Sequence, residues 1–169
     1  GVGRDGVGRD GVGRDGVGKV GGAAVWRYRF LDAHVDQVRF PDGTVGDQVL
    51  IHHPGAAAVV PFVSDPRGAD PQVLLIHQYR YAVGGMLWEI PAGRLEPGEP
   101  PIDCAHRELR EETGCSAAQM ERLTHLWTAP GFTNERIELF LASGLTRGEA
   151  HRESDEFIEV VTLPLSKAL

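Results

Sequence analysis

Residues 93–115, GRLEPGEPPIDCAHRELREETGC, decide the fold of this chain. Their glutamates, one arginine and two glycines follow the spacing G-x5-E-x7-R-E-L-x-E-E-x-G-C. Glu108, Glu111 and Glu112 stand three and four residues apart, so on a helix their carboxylates share one face. Like charges at this spacing destabilise a helix unless something neutralises them. A hard divalent cation such as Mg2+ does so, because it bridges carboxylates to substrate phosphates.

A solvated acidic helix face is the alternative to a metal site, and the register of nine fixed positions argues against it. This register resembles the Nudix box, in which the last position is a bulky aliphatic residue. Here Cys115 stands at that position, and we interpret it as packing because cysteine behaves as a small buried hydrophobe. The resemblance implies a hydrolase that acts on a nucleoside diphosphate linked to another moiety.

The same resemblance implies an α/β (α+β) fold, a Nudix-like α/β/α sandwich with a mixed sheet. The sequence before the box adds an N-terminal antiparallel β region to it. Nine segments read as strands from their apolar patterns and flanking turn residues, namely 25–31, 34–40, 47–52, 57–63, 72–78, 87–90, 121–128, 137–142 and 157–163.

Four segments outside the box resemble the ADP-ribose pyrophosphatase branch of the family. They are HPGAAAVVP (53–61), QYRYAVG (78–84), LWEIPAG (87–93) and APGFTNERIELFLA (129–142). That branch carries a proline about fifteen residues past the box, where Pro130 stands. The resemblance therefore implies Mg2+-dependent hydrolysis of ADP-ribose, or a related nucleoside diphosphate sugar, to AMP and ribose 5-phosphate. Two alternatives stay open: a Nudix hydrolase of another nucleoside diphosphate derivative, and a non-catalytic domain that senses a nucleotide.

The resemblance also implies a set of metal ligands. They are the carboxylates of Glu108, Glu111 and Glu112 and the backbone carbonyl of Ala92, the residue before the box glycine. The expected ion is Mg2+, with Mn2+ as the alternative. Such ions polarise the diphosphate and lower the pKa of a bound water, which a carboxylate then positions or deprotonates.

The general base is expected on a loop, because in this branch it follows the strand after the proline. The matching stretch is residues 144–156, and its candidates are Glu153 and Glu156, followed by Asp155. Glu111 is the catalytic candidate within the box itself.

Four residues of the box have structural roles in this interpretation. Arg107 and Glu99 are expected to pair with each other, and Gly93 is a fixed position of the motif. Gly114 is expected to end the helix, which begins near Pro101 or Ile102. Residues Ile102, Ala105 and Leu109 give that helix an apolar stripe.

Substrate contacts are expected outside the box. Arg80 follows a strand and can bind the diphosphate through charge-assisted hydrogen bonds, or else is a solvated strand-end arginine. Glu135 matches a family position near the ribose end of the substrate. Trp26 and Tyr28 belong to the N-terminal region that in this branch reaches across a dimer to sandwich adenine, and packing in the core or on the strand is the alternative for both.

The composition narrows the function classes. The chain has 169 residues with 41% hydrophobic content, enough for one domain with a core, and its net charge of −7 argues against nucleic-acid or membrane partners. Cys104 and Cys115 would lie roughly 16 Å apart on a helix, too far for a disulfide, which favours a cytoplasmic protein. None of the seven histidines has zinc-finger or HExxH spacing, so we interpret them as surface or strand residues.

The chain is expected to have three parts. Residues 1–19 form a glycine-rich pentamer repeat that is expected to be disordered, since it offers one valine per repeat for packing. Residues 20–55 form an N-terminal β region for dimerisation and substrate contact. Residues 56–169 are expected to form the Nudix hydrolase domain, with PLSKAL as the first turn of a C-terminal helix that is expected to be truncated. The N-terminal strands have no obvious partner of their own in the sequence, and the branch that the chain resembles packs such strands against a neighbouring subunit, so the resemblance implies a homodimer.

Overall fold

The structure is a computed structural model that describes residues 16–148 and 158–169. The chain forms two units. One comprises Gly1–His53 and Thr128–Glu135, and the other comprises Pro54–Trp127 and Arg136–Leu169. We refer to them as the N-terminal unit and the box unit.

Three antiparallel strands make up the sheet of the N-terminal unit, in the order β1-β2-β3. Their bounds are β1 Gly18–Tyr28, β2 Leu31–Arg39 and β3 Val45–His52. Residues 29 and 30 form the tight turn between β1 and β2, and Arg29 there has a positive φ of 52°. Strand β1 begins at Gly18, inside the segment that the sequence predicts to be disordered, because Lys19 pairs with Asp36 of β2.

The segment Thr128–Glu135 joins the N-terminal unit through hydrogen bonds to the end of β3. The Ile51 amide donates to the Phe132 carbonyl at 2.7 Å, and the His53 amide donates to Asn134 Oδ1 at 2.7 Å. These bonds explain why this segment, which the sequence places in the hydrolase domain, associates with residues far before it in the chain.

The box unit contains a mixed sheet in the order β7-β4-β9-β8. Its strands are β4 Ala56–Pro61, β7 Ala92–Arg94, β8 Cys115–Trp127 and β9 Arg136–Arg147. Strand β4 is parallel to β9, whereas β7 and β8 are antiparallel to their neighbours. Strand β8 begins six residues earlier than predicted because Cys115 pairs with Arg147 at the far end of β9.

A second, antiparallel sheet of this unit has the order β10-β5-β6. Its strands are β5 Gln72–Arg80, β6 Gly85–Glu89 and β10 Ile158–Pro164, with a 3-10 turn at Tyr81–Val83. Helix α1 spans Pro101–Thr113, and the short α2 spans Leu165–Ala168. The mixed sheet and the N-terminal antiparallel sheet confirm the predicted α+β class, although α2 is the only helix after α1 in the described residues.

Helix α1 has the ends that its sequence predicts. Pro101 stands in the first turn, where a backbone N–H would have no partner within the helix. The Asp103 carboxylate interacts favourably with the positive end of the helix dipole. Gly114 ends the helix with a φ of 73°, which only glycine adopts without strain. The predicted stripe is wrong at Ile102, which is 41% exposed because the buried face begins at Cys104.

The core of the box unit lies where α1 packs on β4 and β8. Its buried residues come from these elements and from β5 and β9, namely Ala57, Val59, Leu74, Cys104, Ala105, Leu109, Cys115, Phe140 and Ala142. Both cysteines are buried thiols without a disulfide, as predicted. No helix in the described ranges is long and apolar enough to span a bilayer.

Candidate active site

The box glycine is required by a close approach between β7 and α1. A Cβ atom on Gly93 would overlap the carboxylate of Glu108, so no other residue fits there without moving that side chain. The Cys104 thiol donates to the carbonyls of Gly93 and Arg94 at 3.5 and 3.4 Å, which holds β7 against the helix. Burial raises the pKa of this thiol to about 12, so it remains a protonated donor.

Arg107 is the centre of a group that we call the box cluster, formed by Arg107 with Glu99, Glu108, Glu111 and Glu112. Its Nε and Nη2 atoms each donate to the Glu99 carboxylate at 2.9 Å. Its Nη1 atom donates to Glu108 at 2.6 Å and to Glu111 at 3.1 Å. The predicted pair with Glu99 is therefore present, and the same guanidinium also orients two of the predicted metal ligands.

The ion pair between Glu99 and Arg107 shifts the pKa values of both groups. Hydrogen bonds from Arg107 lower the pKa of the Glu99 carboxyl to about 2, and the Glu96 amide supports the same carboxylate at 2.9 Å. In return, the hydrogen bond with Glu99 is the largest contribution that raises the pKa of Arg107. Both groups are therefore ionised at neutral pH.

Glu112 is held from the other side, by the strand that precedes the box glycine. Its carboxylate is almost fully buried, with 2% of the residue exposed, and it accepts the Ala92 amide at 3.0 Å. Ala92 and Glu112 are therefore neighbours through the Ala92 amide, while a shared metal site that uses the Ala92 carbonyl stays a prediction. Glu108 is also buried, whereas Glu111 is the most exposed of the three glutamates of the helix.

The box cluster has an excess of negative charge, since it contains four carboxylates and one guanidinium, and three of these carboxylates accept hydrogen bonds from Arg107. Placing like charges together in a poorly hydrated site is costly unless a cation compensates them. The donor atoms are oxygens, which is the ligand set that hard divalent ions prefer. The residues present therefore fit a divalent metal ion of the Mg2+ class.

Arg80 pairs with Glu89 of the neighbouring strand β6. Its Nε and Nη2 atoms donate to the two oxygens of Glu89 at 2.8 and 2.7 Å, the fork geometry that guanidinium also uses for phosphate. A diphosphate contact by Arg80 stays a prediction, and a phosphate that binds there would compete with Glu89. The sequence analysis missed Glu89 because its pairing depends on the β5–β6 register.

The N-terminal unit contains the other predicted substrate residues. Glu135 accepts the Thr128 hydroxyl at 2.7 Å and lies 3.5 Å from Nε2 of His53. Trp26 and Tyr28 are 52% and 59% exposed, so neither packs in a core, whereas packing on their own strand stays open as the alternative. Their ring centroids are 6.0 Å apart with the planes tilted by 32°. Contact of these three residues with substrate stays a prediction.

The predicted loop candidates for the general base, Glu153, Glu156 and Asp155, lie outside the described residues. The hydrogen bonds by which Cys104 holds β7 were not predicted from the sequence. They could have been, because Cys104 and Glu108 stand one helical turn apart and so share the helix face toward Gly93.

Comparison with known proteins places this geometry in a family. The family model of the NUDIX domain matches residues 53–169. A methanol dehydrogenase activator of Bacillus methanolicus is 39% identical over 143 residues, which cover 83% of this chain and 75% of that protein. An ADP-ribose pyrophosphatase of Bacillus subtilis (strain 168) is 38% identical over 143 residues, with the same two shares.

An ADP-ribose pyrophosphatase of Mycobacterium tuberculosis (strain ATCC 25618 / H37Rv) is 45% identical over 122 residues. That match covers 70% of this chain and 56% of the mycobacterial protein. Among solved structures, the crystal structure of an ADP compounds hydrolase superposes with a TM-score of 0.75 and 23% identity. The superposition covers 89% of this chain and 79% of that one, and it supports the fold.

Proposed function

Because this chain belongs to the Nudix family of hydrolases, we propose that it hydrolyses the diphosphate bond of ADP-ribose to give AMP and ribose 5-phosphate. The observation that carries the proposal is the box cluster, in which Arg107 orients the carboxylates of the buried Glu108 and the half-buried Glu111 on α1. The choice of ADP-ribose is supported by the four flanking segments and by the two relatives of that name.

The proposed cofactor is Mg2+, with Mn2+ as the alternative. Glu108, Glu111 and Glu112 would hold it, together with the carbonyl of Ala92. When bound, the ion neutralises the diphosphate charge and makes a bound water more acidic.

The residues of the chain supply the positioning. Arg107 orients Glu108 and Glu111, and the Ala92 amide holds Glu112, so all three carboxylates have a hydrogen-bonded position before substrate binds. Glu111 is the carboxylate of the box cluster that is most accessible to water. It is a candidate for orienting the attacking water, and Glu153 and Glu156 are the loop candidates for its deprotonation.

The remaining proposed contacts concern binding. Arg80 would meet the diphosphate and Glu135 the ribose end of the substrate. Trp26 and Tyr28 would stack on adenine, a contribution of about 1–3 kcal/mol per base. We propose that they do so from the neighbouring subunit of a homodimer. Light scattering of the purified chain should give a dimer, and a fully active monomer would refute this assembly.

The activity is tested with a panel of substrates in millimolar MgCl2, followed by phosphatase treatment of the products. ADP-ribose, GDP-mannose, NADH and a diadenosine polyphosphate would be compared by kcat/KM. We expect the highest value for ADP-ribose and no phosphate release when EDTA removes the metal. A higher value for another substrate would favour the alternative hydrolase. Tight ADP-ribose binding by calorimetry with no turnover of any substrate would favour a nucleotide sensor.

A further inference from the structure

A second group of possible metal ligands lies on the sheet of the N-terminal unit. His34, Asp36 and His52 each offer one ligand atom, and these atoms lie within 4.8 Å of one another. His34 and Asp36 are two apart on β2 and therefore share a face. The β2–β3 register pairs Asp32 with His52, which brings the His52 ring next to that of His34 at a centroid distance of 4.6 Å. We call these three residues the histidine cluster.

Two atoms of the histidine cluster are buried without a hydrogen bond. They are Nδ1 of His34 and Oδ1 of Asp36, which lie 3.7 Å apart. Asp36 is only 4% exposed, so water does not compensate its carboxylate. Buried polar atoms without a hydrogen bond are rare and costly in folded proteins, and a bound ion is one of their regular explanations.

A charged neighbour and a glycine shape the space around Asp36. The ammonium of Lys19 lies 2.6 Å from Oδ1, outside hydrogen-bond geometry, and its side chain is 39% exposed on a long flexible stem. A Cβ atom on Gly22 would lie 2.8 Å from the same oxygen, so β1 leaves room for the carboxylate only because glycine stands there. Asp36 thus already has a cation beside it, one that can withdraw into solvent.

From this arrangement we propose that His34, Asp36 and His52 bind one Zn2+ ion, and that Lys19 compensates Asp36 when zinc is absent. Two imidazole nitrogens and one carboxylate oxygen are ordinary zinc donors, with a water in the fourth position. Zinc bonds of about 2.1 Å at tetrahedral angles place neighbouring donor atoms about 3.4 Å apart. The His34 and Asp36 atoms are already close to this separation, and His52 needs only a small side-chain movement.

The donor set separates this site from the box cluster. Imidazole nitrogens favour zinc over Mg2+, whereas the all-oxygen box cluster favours Mg2+. The two clusters belong to different units, so the zinc proposal does not rest on the proposed hydrolase activity.

Zinc binding to the full chain is tested by calorimetry with ZnCl2 in millimolar MgCl2, which is added to compete with zinc for the box cluster. We expect one zinc ion per chain at the histidine cluster. His34→Gln and His52→Gln should each weaken that binding by at least ~10-fold. The matched control His106→Gln removes a histidine of α1 and should leave the zinc affinity unchanged. Thermal unfolding of the wild type should shift upward with ZnCl2, since a ligand of the folded state stabilises it.

A further variant keeps the proposal testable if the histidine variants fail to fold. Lys19→Gln leaves all three ligands in place and removes the competing ammonium, so zinc should bind roughly two- to fivefold tighter. Weaker zinc binding by Lys19→Gln would overturn the proposal. So would unchanged affinity in folded His34→Gln and His52→Gln proteins, no zinc binding at millimolar concentration, or loss of zinc binding in Glu112→Gln.

Discussion

The box cluster and the histidine cluster differ in the secondary structure that carries them and in the hydrogen bonding of their polar atoms. Three glutamates of the box cluster lie on one helix whose buried face is part of the core. Arg107 orients two of them, and the Ala92 amide holds the third. The histidine cluster lies on an antiparallel sheet whose strands are mostly exposed or half-buried, and two of its polar atoms make no hydrogen bond.

This difference indicates how strongly each cluster depends on the residues that pack around it. Residues of the box cluster take part both in the packing of α1 and in the charge balance of the site. Their substitution should therefore lower kcat strongly and also lower the stability of the fold. The histidine cluster has its own sheet and its own donor set, so its substitution should leave the chemistry of the box cluster intact.

The largest effect is expected for Glu112→Gln. Glutamine keeps an oxygen that can accept the Ala92 amide but removes the charge that would hold the metal. We expect kcat for ADP-ribose to fall by at least ~100-fold in steady-state assays, because electrostatic stabilisation of the transition state is lost. Glu121→Gln, on the exposed part of β8, is the matched control and should keep its kcat. Near-normal turnover in a folded Glu112→Gln protein would remove this glutamate from the metal site.

Gly93→Ala should damage stability and activity together. Its methyl group would overlap the Glu108 carboxylate, and overpacking of this kind costs about 1–3 kcal/mol. In a chain of this size we expect the melting temperature to fall by roughly 3–10 °C, with a loss of kcat. Gly85→Ala is the matched control, since a methyl group there meets nothing within 4 Å. Equal melting temperatures for the two variants would contradict the close packing of β7 on α1.

The Glu99–Arg107 pair should make part of the stability depend on pH. The pKa of Glu99 is about 2 in the folded chain against an ordinary value of 4.5. A lowered carboxyl pKa adds stability above the unfolded value, and that stability is lost as the pH falls from about 4.5 to about 2. Urea unfolding should therefore show wild type more stable than Glu99→Gln at pH 7, with the gap narrowing in this window. The neighbouring Glu96→Gln serves as control, and a gap that stays constant down to pH 3 would argue against the pair.

The smallest effect is expected at the start of the chain. Deleting residues 1–15 should leave the melting temperature almost unchanged, because this glycine-rich repeat offers little to bury. Deleting residues 1–19 also removes Lys19 and the first pairs of β1 with β2, so it should lower the melting temperature slightly further. Activity should survive both deletions, and a clear loss with the shorter deletion would show that the repeat contributes to the folded protein.

The two clusters also differ in what their sequence reveals. The carboxylates of α1 could be predicted because helical periodicity brings residues three and four apart together, and Gly114 and Pro101 mark the helix ends. His34 and His52 could not be paired from the sequence, because the β2–β3 register brings them together across eighteen positions. The pairing of Arg80 with Glu89 was missed for the same reason, and Ile102 was misjudged because periodicity does not show where the core ends.

The central claim is that the glutamates of α1 hold the divalent ion. Mn2+ binding followed by electron paramagnetic resonance tests it most directly, because it does not depend on the choice of substrate. We predict that wild type binds Mn2+, that a folded Glu108→Gln/Glu112→Gln double variant loses this binding, and that His34→Gln/His52→Gln retains it. Unchanged Mn2+ binding in the glutamate variant, or its loss in the histidine variant alone, would contradict the account.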